Sequence, residues 1–231
     1  MAKRGFDILA SLAAIILLSP LLLPIIALLR ITGEGYVFYA QDRVGRGGQL
    51  FRILKFVTML KNSPNMAGGD ITVGRDPRVL PFGHFLRKTK INELPQLFNI
   101  LRGDMSVIGP RPLTPRVAAL FPPQHWVNIQ NMRPGLSGLG SIAFRDEEQL
   151  LHVAEDRERA YKELIVPYKL ALEDWYAQNQ SLWIDLKLIL FTLVAVLDPA
   201  FNVSHLFSGL PERSPALISF MARSKLGRHG E

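Results

Sequence analysis

At 231 residues the chain is long enough to bury a sizeable core, one catalytic domain with appended helices being the natural count. Its formal net charge of +7 suits anionic partners: nucleic acid, nucleotide phosphates or an anionic membrane leaflet. Cysteine is absent, which excludes disulfides, thiolate metal sites and a thiol nucleophile.

The segment from Ile8 to Leu29 carries no charged side chain. As a helix it is long enough to cross roughly 30 Å of hydrocarbon. Pro20 and Pro24 near its centre each delete a backbone donor and crowd the carbonyl four residues back. Ser19 precedes the first of them, placed to satisfy a freed carbonyl. Both flanks are cationic, Lys3 and Arg4 before and Arg30, Arg43 and Arg46 after, a pattern that holds both ends on the cytoplasmic side. A helix that enters the bilayer, breaks at Ser19-Pro20 and returns meets both constraints, with a straight anchor as the alternative. A secretory signal peptide is disfavoured by the length of the apolar run and the lack of a small-residue cleavage site.

Tyr36 to Gln41 and Gln49 to Phe56 read as two short strands around the turn Gly45-Arg46-Gly47-Gly48, a hairpin decorated by Arg43, Arg52 and Lys55. Lys61 to Pro81, rich in Gly, Pro, Asn and Asp, reads as a surface loop. The informative stretch is Leu86 to Pro112. Leu94, Leu97, Phe98 and Leu101 fall at i, i+3, i+4 and i+7, one apolar stripe on a helix. Asn92 stands where an N-cap belongs, Pro95 in the first turn, and Gly103 where a left-handed residue ends the helix. Glu93 then sits at a helix start, a natural phosphate site, preceded by Arg87, Lys88 and Lys90 and followed by Arg111 between two prolines. One carboxylate among several cations reads as polyphosphate chemistry with a divalent metal. The alternative is a capped amphipathic helix with basic flanks and no function.

Beyond this segment, Phe121-Pro122-Pro123 breaks the chain and Arg133 to Gly138 forms another turn-rich loop. Glu147 to Ala177 is helical in pattern with Pro167 as its one interruption. Leu182 to Phe201 mixes Trp183, Asp185 and Lys187 with an apolar run; too interrupted to span, it fits the membrane interface. Ser214 to Arg228 is an amphipathic basic tail that touches anionic lipid or is merely solvated.

The run NELPQLFNILRGDMSVIGPRPL resembles the signature of the bacterial sugar transferase family, the monotopic polyprenyl-phosphate phosphoglycosyl transferases. The likeness continues in order through KRGFDILAS, LLSPLLL, YVFYAQDRVGRGGQLFRILKFVTM, RPGLSGLGSIAFRDEE and YKLALEDWYAQNQSLWIDLKLILFTL. It implies an α+β, mostly helical monotopic membrane protein with a re-entrant N-terminal helix over residues 1–35. A catalytic domain with a short β-hairpin and interfacial helices follows over 36–201, then a basic tail over 202–231. The implied reaction moves a sugar-1-phosphate from a nucleoside diphosphate sugar, a uridine diphosphate donor, to undecaprenyl phosphate on the cytoplasmic face of a bacterial inner membrane. By the resemblance Glu93 binds Mg²⁺ and Arg87 belongs to the catalytic site. Lys55, Arg111, Arg145 and Glu173 fall at substrate-binding positions.

Departures from the family pattern bear on mechanism. Val57 replaces a second hairpin cation, and Leu139 and Ser141 replace an aromatic residue and a glutamine. Asn92 stands where the family has the aspartate that takes the phospho-sugar covalently. Three explanations stay open: Glu93 acts as nucleophile, the lipid phosphate attacks directly, or the chain is a catalytically silent membrane module that binds lipid phosphate or nucleotide sugar. Nucleic-acid binding is disfavoured, since no recognition-helix pattern accompanies the charge. A homo-oligomer is left open.

Overall fold

The structure, a computed structural model, describes all residues except 1, 33, 64–65, 67–75, 120, 122–128, 146, 153, 198–206 and 227–231. Much of the loop expected over 61–81, the Pro122-Pro123 break and the end of the basic tail lie outside the described residues.

The first element, α1, is one helix from Ala2 to Ile31 that contains Pro20 and Pro24. The helix runs through Ser19-Pro20, and the reason is local. Pro20 cannot donate to Ile16, and Ser19 Oγ donates to that carbonyl instead, at 2.8 Å. One face of α1 lies along the rest of the molecule. Asp7, Ser11, Leu22, Ile25 and Leu29 are buried, with Ala14, Ile15 and Leu18 packed between them, a spacing of three and four that keeps one stripe inward. The opposite face leaves Leu9, Ile16, Leu17 and Leu23 exposed.

The charged start of α1 is stitched to the domain. Lys3 Nζ pairs with buried Asp185 at 2.6 Å and donates to Ile108 O at 3.0 Å. The Arg4 guanidinium donates to Ile100 O and Leu101 O at 2.6 and 2.9 Å, a cation on the carbonyl end of a helix. Asp7 accepts from Ser106 Oγ and the Val107 N–H, the latter at 3.0 Å. Lys3 and Arg4, read as membrane-flanking charge, are thus engaged by protein.

Strands β1 (Phe38–Val44) and β2 (Leu50–Phe56) pair antiparallel, Phe38 opposite Phe56 and Val44 opposite Leu50. The turn uses Gly47 and Gly48 at φ +70° and +76°, conformations that tolerate no side chain easily. Helix α2 (Pro81–Lys88) leads through the turn Ile91–Glu93 into α3 (Gln96–Arg102), which Gly103 ends at φ +97° as expected. The apolar stripe of α3 is rotated from the expected one: Leu97 and Ile100 are buried with Gln96 and Asn99, whereas Phe98 is exposed. Asn99 faces inward because it completes β2. Its Oδ1 accepts from the Leu54 N–H at 2.9 Å, and its Nδ2 donates to Arg52 O at 2.8 Å.

A second, parallel pair joins β3 (Ser106–Ile108) to β4 (Gly135–Ser137), the latter within the stretch expected as a turn-rich loop. Glycine makes it feasible: a Cβ on Gly135 would lie 2.1 Å from the Gly109 nitrogen. The short helices α4 (Pro115–Ala118), α5 (Leu139–Ala143), α6 (Glu147–His152) and α7 (Arg157–Ala160) follow. From α7 the chain runs through a π turn, Tyr161–Ile165, into α8 (Val166–Asn179), then α9 (Leu182–Leu197) and α10 (Pro215–Leu226). The largest core gathers Ile108, Leu139, Leu172, Tyr176, Leu188 and Leu217. On α9, Trp183, Leu186, Leu190 and Leu193 form an exposed apolar stripe.

Candidate active site

Alternation along the hairpin aims two cations at one place. In the β1–β2 register Tyr39 faces Lys55, Gln41 faces Ile53 and Arg43 faces Phe51, so Arg43, Ile53 and Lys55 share a face. Ile53, buried against Leu97 and Ile100, turns that face toward the Ile91–Glu93 turn. The turn is forced by Lys90, a non-glycine residue at φ +60°. Arg111 arrives from the other side. The Val44 N–H donates to Leu113 O at 2.9 Å and Arg43 Nη1 to Pro112 O at 3.1 Å, which clamps the Pro-Arg-Pro segment against the hairpin end.

At the centre, Lys55 Nζ donates to Glu93 Oε1 at 3.0 Å and Arg111 Nη2 reaches the same oxygen at 3.5 Å. Burial by itself would raise the Glu93 pKa, but the charges of Lys55, Arg111 and Lys90 outweigh it and hold the carboxyl well below its usual range. Burial depresses the Lys55 pKa; Glu93 opposes this, while Arg111 and Arg43 add to it. Cations therefore outnumber the carboxylate, and the pocket has room for more negative charge. Arg43 and Gln96 also line this pocket; Arg43 went unselected as a site residue because it lies on the hairpin outside the acid–cation run, and Gln96, inside that run, because it carries no charge.

The pocket opens into a cleft of ≈ 1820 Å³ whose lining includes Arg87, Asn92 and Arg145 as well as Lys55, Glu93 and Arg111. Apolar side chains complete it, Ala14, Leu18 and Leu21 from α1 and Ile189, Leu193 and Val196 from α9. Tyr161, Glu147 and Lys169 form another part of its wall.

One expectation needs correction, and one expected site residue lies apart from the cluster. Asn92 caps no helix: it lies inside the Ile91–Glu93 turn, α3 starts at Gln96, and the residue before it, Pro95, has no capping side chain. The Asn92 side chain is buried, and its Oδ1 accepts no hydrogen bond among the described residues. Glu173 is not in the cleft lining; it is buried, and its carboxylate accepts from the Gly140 N–H at the start of α5. Burial, with help from Asp174, pushes its pKa up to about 7 against the charge of Lys169. Arg87, on the last turn of α2, lines the cleft while its charge acts on Asp76, which Arg78 binds at 2.6 Å. Among the described residues no three His, Asp or Glu side chains gather as a metal cage. Glu93 and the unpartnered Asn92 Oδ1, neighbours in sequence on the cleft wall, are hard oxygen donors beside the cation cluster.

Residues 1–199 match the family described as bacterial sugar transferase. The chain is 36% identical over 212 residues to the exopolysaccharide production protein ExoY of Rhizobium meliloti strain 1021, covering 85% of each chain. It is 33% identical over 202 residues to the exopolysaccharide production protein PSS of Rhizobium leguminosarum bv. phaseoli, covering 84% of this chain and 94% of that one. Similarity of 33% over 211 residues extends to an undecaprenyl-phosphate galactose phosphotransferase of Salmonella typhimurium, covering 84% of this chain and 40% of the longer relative. A match spanning the hairpin, the Glu93 turn and the Pro-Arg-Pro segment in one alignment settles the kinship: the chain belongs to the bacterial sugar transferase family.

Proposed function

We propose that the protein transfers a sugar-1-phosphate from a nucleoside diphosphate sugar, a uridine diphosphate donor, to undecaprenyl phosphate, releasing a nucleoside monophosphate. The observation that carries this reading is the cation-rich pocket around Glu93 opening into a cleft also walled by apolar faces of α1 and α9. An anionic head with a hydrocarbon tail matches such a wall, and a soluble diphosphate matches the cations. The reaction opens a surface-glycan pathway, on the cytoplasmic face of the inner membrane. Both ends of α1 dock on the same domain, Lys3 to Asp185 and Leu29 in the cluster of Phe56 and Leu86, so the helix is carried into one leaflet from one side. The exposed stripe of α9 lies in the interface beside it.

Glu93 and the Asn92 amide oxygen suit Mg²⁺, which takes one or two protein oxygens and completes its shell with phosphate and water. When bound, the ion would offset the charge of the donor diphosphate. Lys55, Arg43 and Arg111 hold the same diphosphate from the hairpin side and stabilise charge as it moves to the leaving phosphate. Asn92 lacks the charge and basicity of a nucleophile, and Glu93 is engaged by two cations through one oxygen. Direct attack is therefore the favoured course. An oxygen of the lipid phosphate bonds to the phosphorus carrying the sugar, and the bond from that phosphorus to the bridging oxygen breaks. Its electron pair leaves with the nucleoside monophosphate.

The test uses full-length protein in lipid nanodiscs. Nucleoside monophosphate should appear only with Mg²⁺, donor and undecaprenyl phosphate together, and radiolabelled phospho-sugar should not remain on the protein when the lipid is withheld. A trapped label would overturn direct attack. Absence of any release would favour the second reading, a silent membrane module that binds the same ligands, for which Asn92 is the motivating observation.

A further inference from the structure

We infer that the cleft wall formed by Phe144, Glu147, Tyr161 and Lys169 is the hexose subsite of the donor, and that this wall sets which sugar is transferred. The inference rests on the transferase reading above and identifies a part of the site that the phosphate cluster does not explain. The wall begins where that cluster ends: the charge of Arg111 is held mainly by Glu93, and Glu147 and Tyr161 act on it as well. Arg111 lines the same cleft as Phe144, Glu147, Tyr161 and Lys169, so a donor whose diphosphate is seated at Arg111 has this wall within reach of its sugar.

Lys169 Nζ stands 5.2 Å from the Tyr161 ring centroid and 5.5 Å from that of Phe144, and it is paired with the Glu147 carboxylate. Only 11% of the Lys169 side chain is accessible, so this ion pair has surrendered much of its hydration. Such a pair contributes little to stability over an apolar replacement, which leaves its presence in a cleft wall to be explained by recognition. Hexose hydroxyls are donors and acceptors at once. A carboxylate beside an ammonium meets both needs, and an aromatic face packs against the ring carbons. A pyrimidine edge carries donors and acceptors too but few aliphatic ring carbons, and competition by UMP separates the two.

Helix geometry supplies an independent argument. Tyr161 and Lys169 are eight residues apart, about 80° out of line on an unbroken α-helix. The π turn Tyr161–Ile165 inserts an extra residue and reduces the offset to about 20°, which brings both onto the cleft face. Pro167, which lacks the N–H that an α-helix would aim at Glu163, makes the wider turn inexpensive. Turns of this kind are frequent at functional sites.

Glu147→Gln and Tyr161→Phe test the assignment in full-length protein in nanodiscs. The donors are UDP-glucose, UDP-galactose and their N-acetyl counterparts, and UMP is the competitor. The expected result is a change of about tenfold in the ratio of kcat/KM between 4-epimeric donors, with UMP inhibition altered less than about twofold. An equal slowing of all donors would make the wall structural and overturn the proposal. A matching loss of UMP inhibition would assign it to the nucleoside and overturn it too. Should the unsubstituted protein release no UMP from any donor, the transferase reading fails on its own. Equilibrium dialysis of labelled UDP-galactose against labelled UMP with the same variants then decides the subsite: weaker UDP-galactose binding alone supports it, and equal weakening refutes it.

Discussion

Glu93 carries the sharpest prediction at the level of single residues. Its Oε1 receives both Lys55 and Arg111, so Glu93→Gln removes the charge that orders the two cations and one oxygen offered to a metal. Turnover should fall by about 10²–10³-fold, with far-ultraviolet circular dichroism unchanged. Glu173 makes a different kind of claim, about pH. With its pKa pushed from 4.5 up to about 7 by burial, the folded protein keeps a proton between those values that the unfolded chain has released. Stability therefore falls as pH rises through that window and stays lower above it, by about 1–3 kcal/mol. Denaturant titrations at pH 5 and pH 8 should show the loss in the unsubstituted protein and a much smaller one in Glu173→Gln. Equal slopes in the two proteins would mean that Glu173 titrates normally.

Secondary-structure elements here are joined by buried side-chain hydrogen bonds as much as by apolar packing. Asn99 fastens α3 to β2 through a backbone N–H and a backbone carbonyl of the same strand. Asn99→Ala leaves both without that partner and should cost about 2–3 kcal/mol in equilibrium unfolding, against under 1 for a surface alanine substitution. Asp7 does the same between α1 and β3, accepting from Ser106 and Val107 at 1% exposure. Asp7→Ala should loosen the start of α1, seen as faster amide exchange over residues 2–12 and at Val107; unchanged exchange would show that apolar packing alone suffices. Ser19 explains how α1 continues past Pro20: it supplies the donor that proline withholds.

Across the whole molecule, one apolar surface runs the length of α1. Leu17 is 79% exposed on it, the inverse of what a soluble protein does with leucine. The helix has the length and hydropathy to cross a membrane, yet its inward face is occupied by the domain from Asp7 to Leu29. Leu17→Asp should leave the fold intact, since no core contact is lost, and reduce flotation of the protein with vesicles, as a carboxylate in hydrocarbon costs about 3 kcal/mol. Undiminished flotation would move the lipid contact elsewhere, α9 being the next candidate.

Much of this architecture was readable in the sequence because it is encoded locally. Gly103 ends α3 since few other residues accept its backbone angles, the glycine-rich turn dictates the hairpin, and an uncharged N-terminal stretch has to be apolar helix. The Glu93 run carried the family likeness, and the family match bears it out. Other features depended on partners far along the chain. Asn99 turns inward because Leu54 and Arg52 offer backbone groups there, which rotates the stripe of α3 away from the one its leucines suggest. Arg43 joins Lys55 only through the strand register, and Glu173 leaves the cleft because Gly140 lacks a side chain to keep it out. Lys3 and Arg4, which the sequence presents as a cationic flank of the apolar segment, are claimed by Asp185 and the end of α3. Local chemistry fixes where a chain bends and what a segment prefers to touch; only the packed whole decides which of several suitable partners each charge will have.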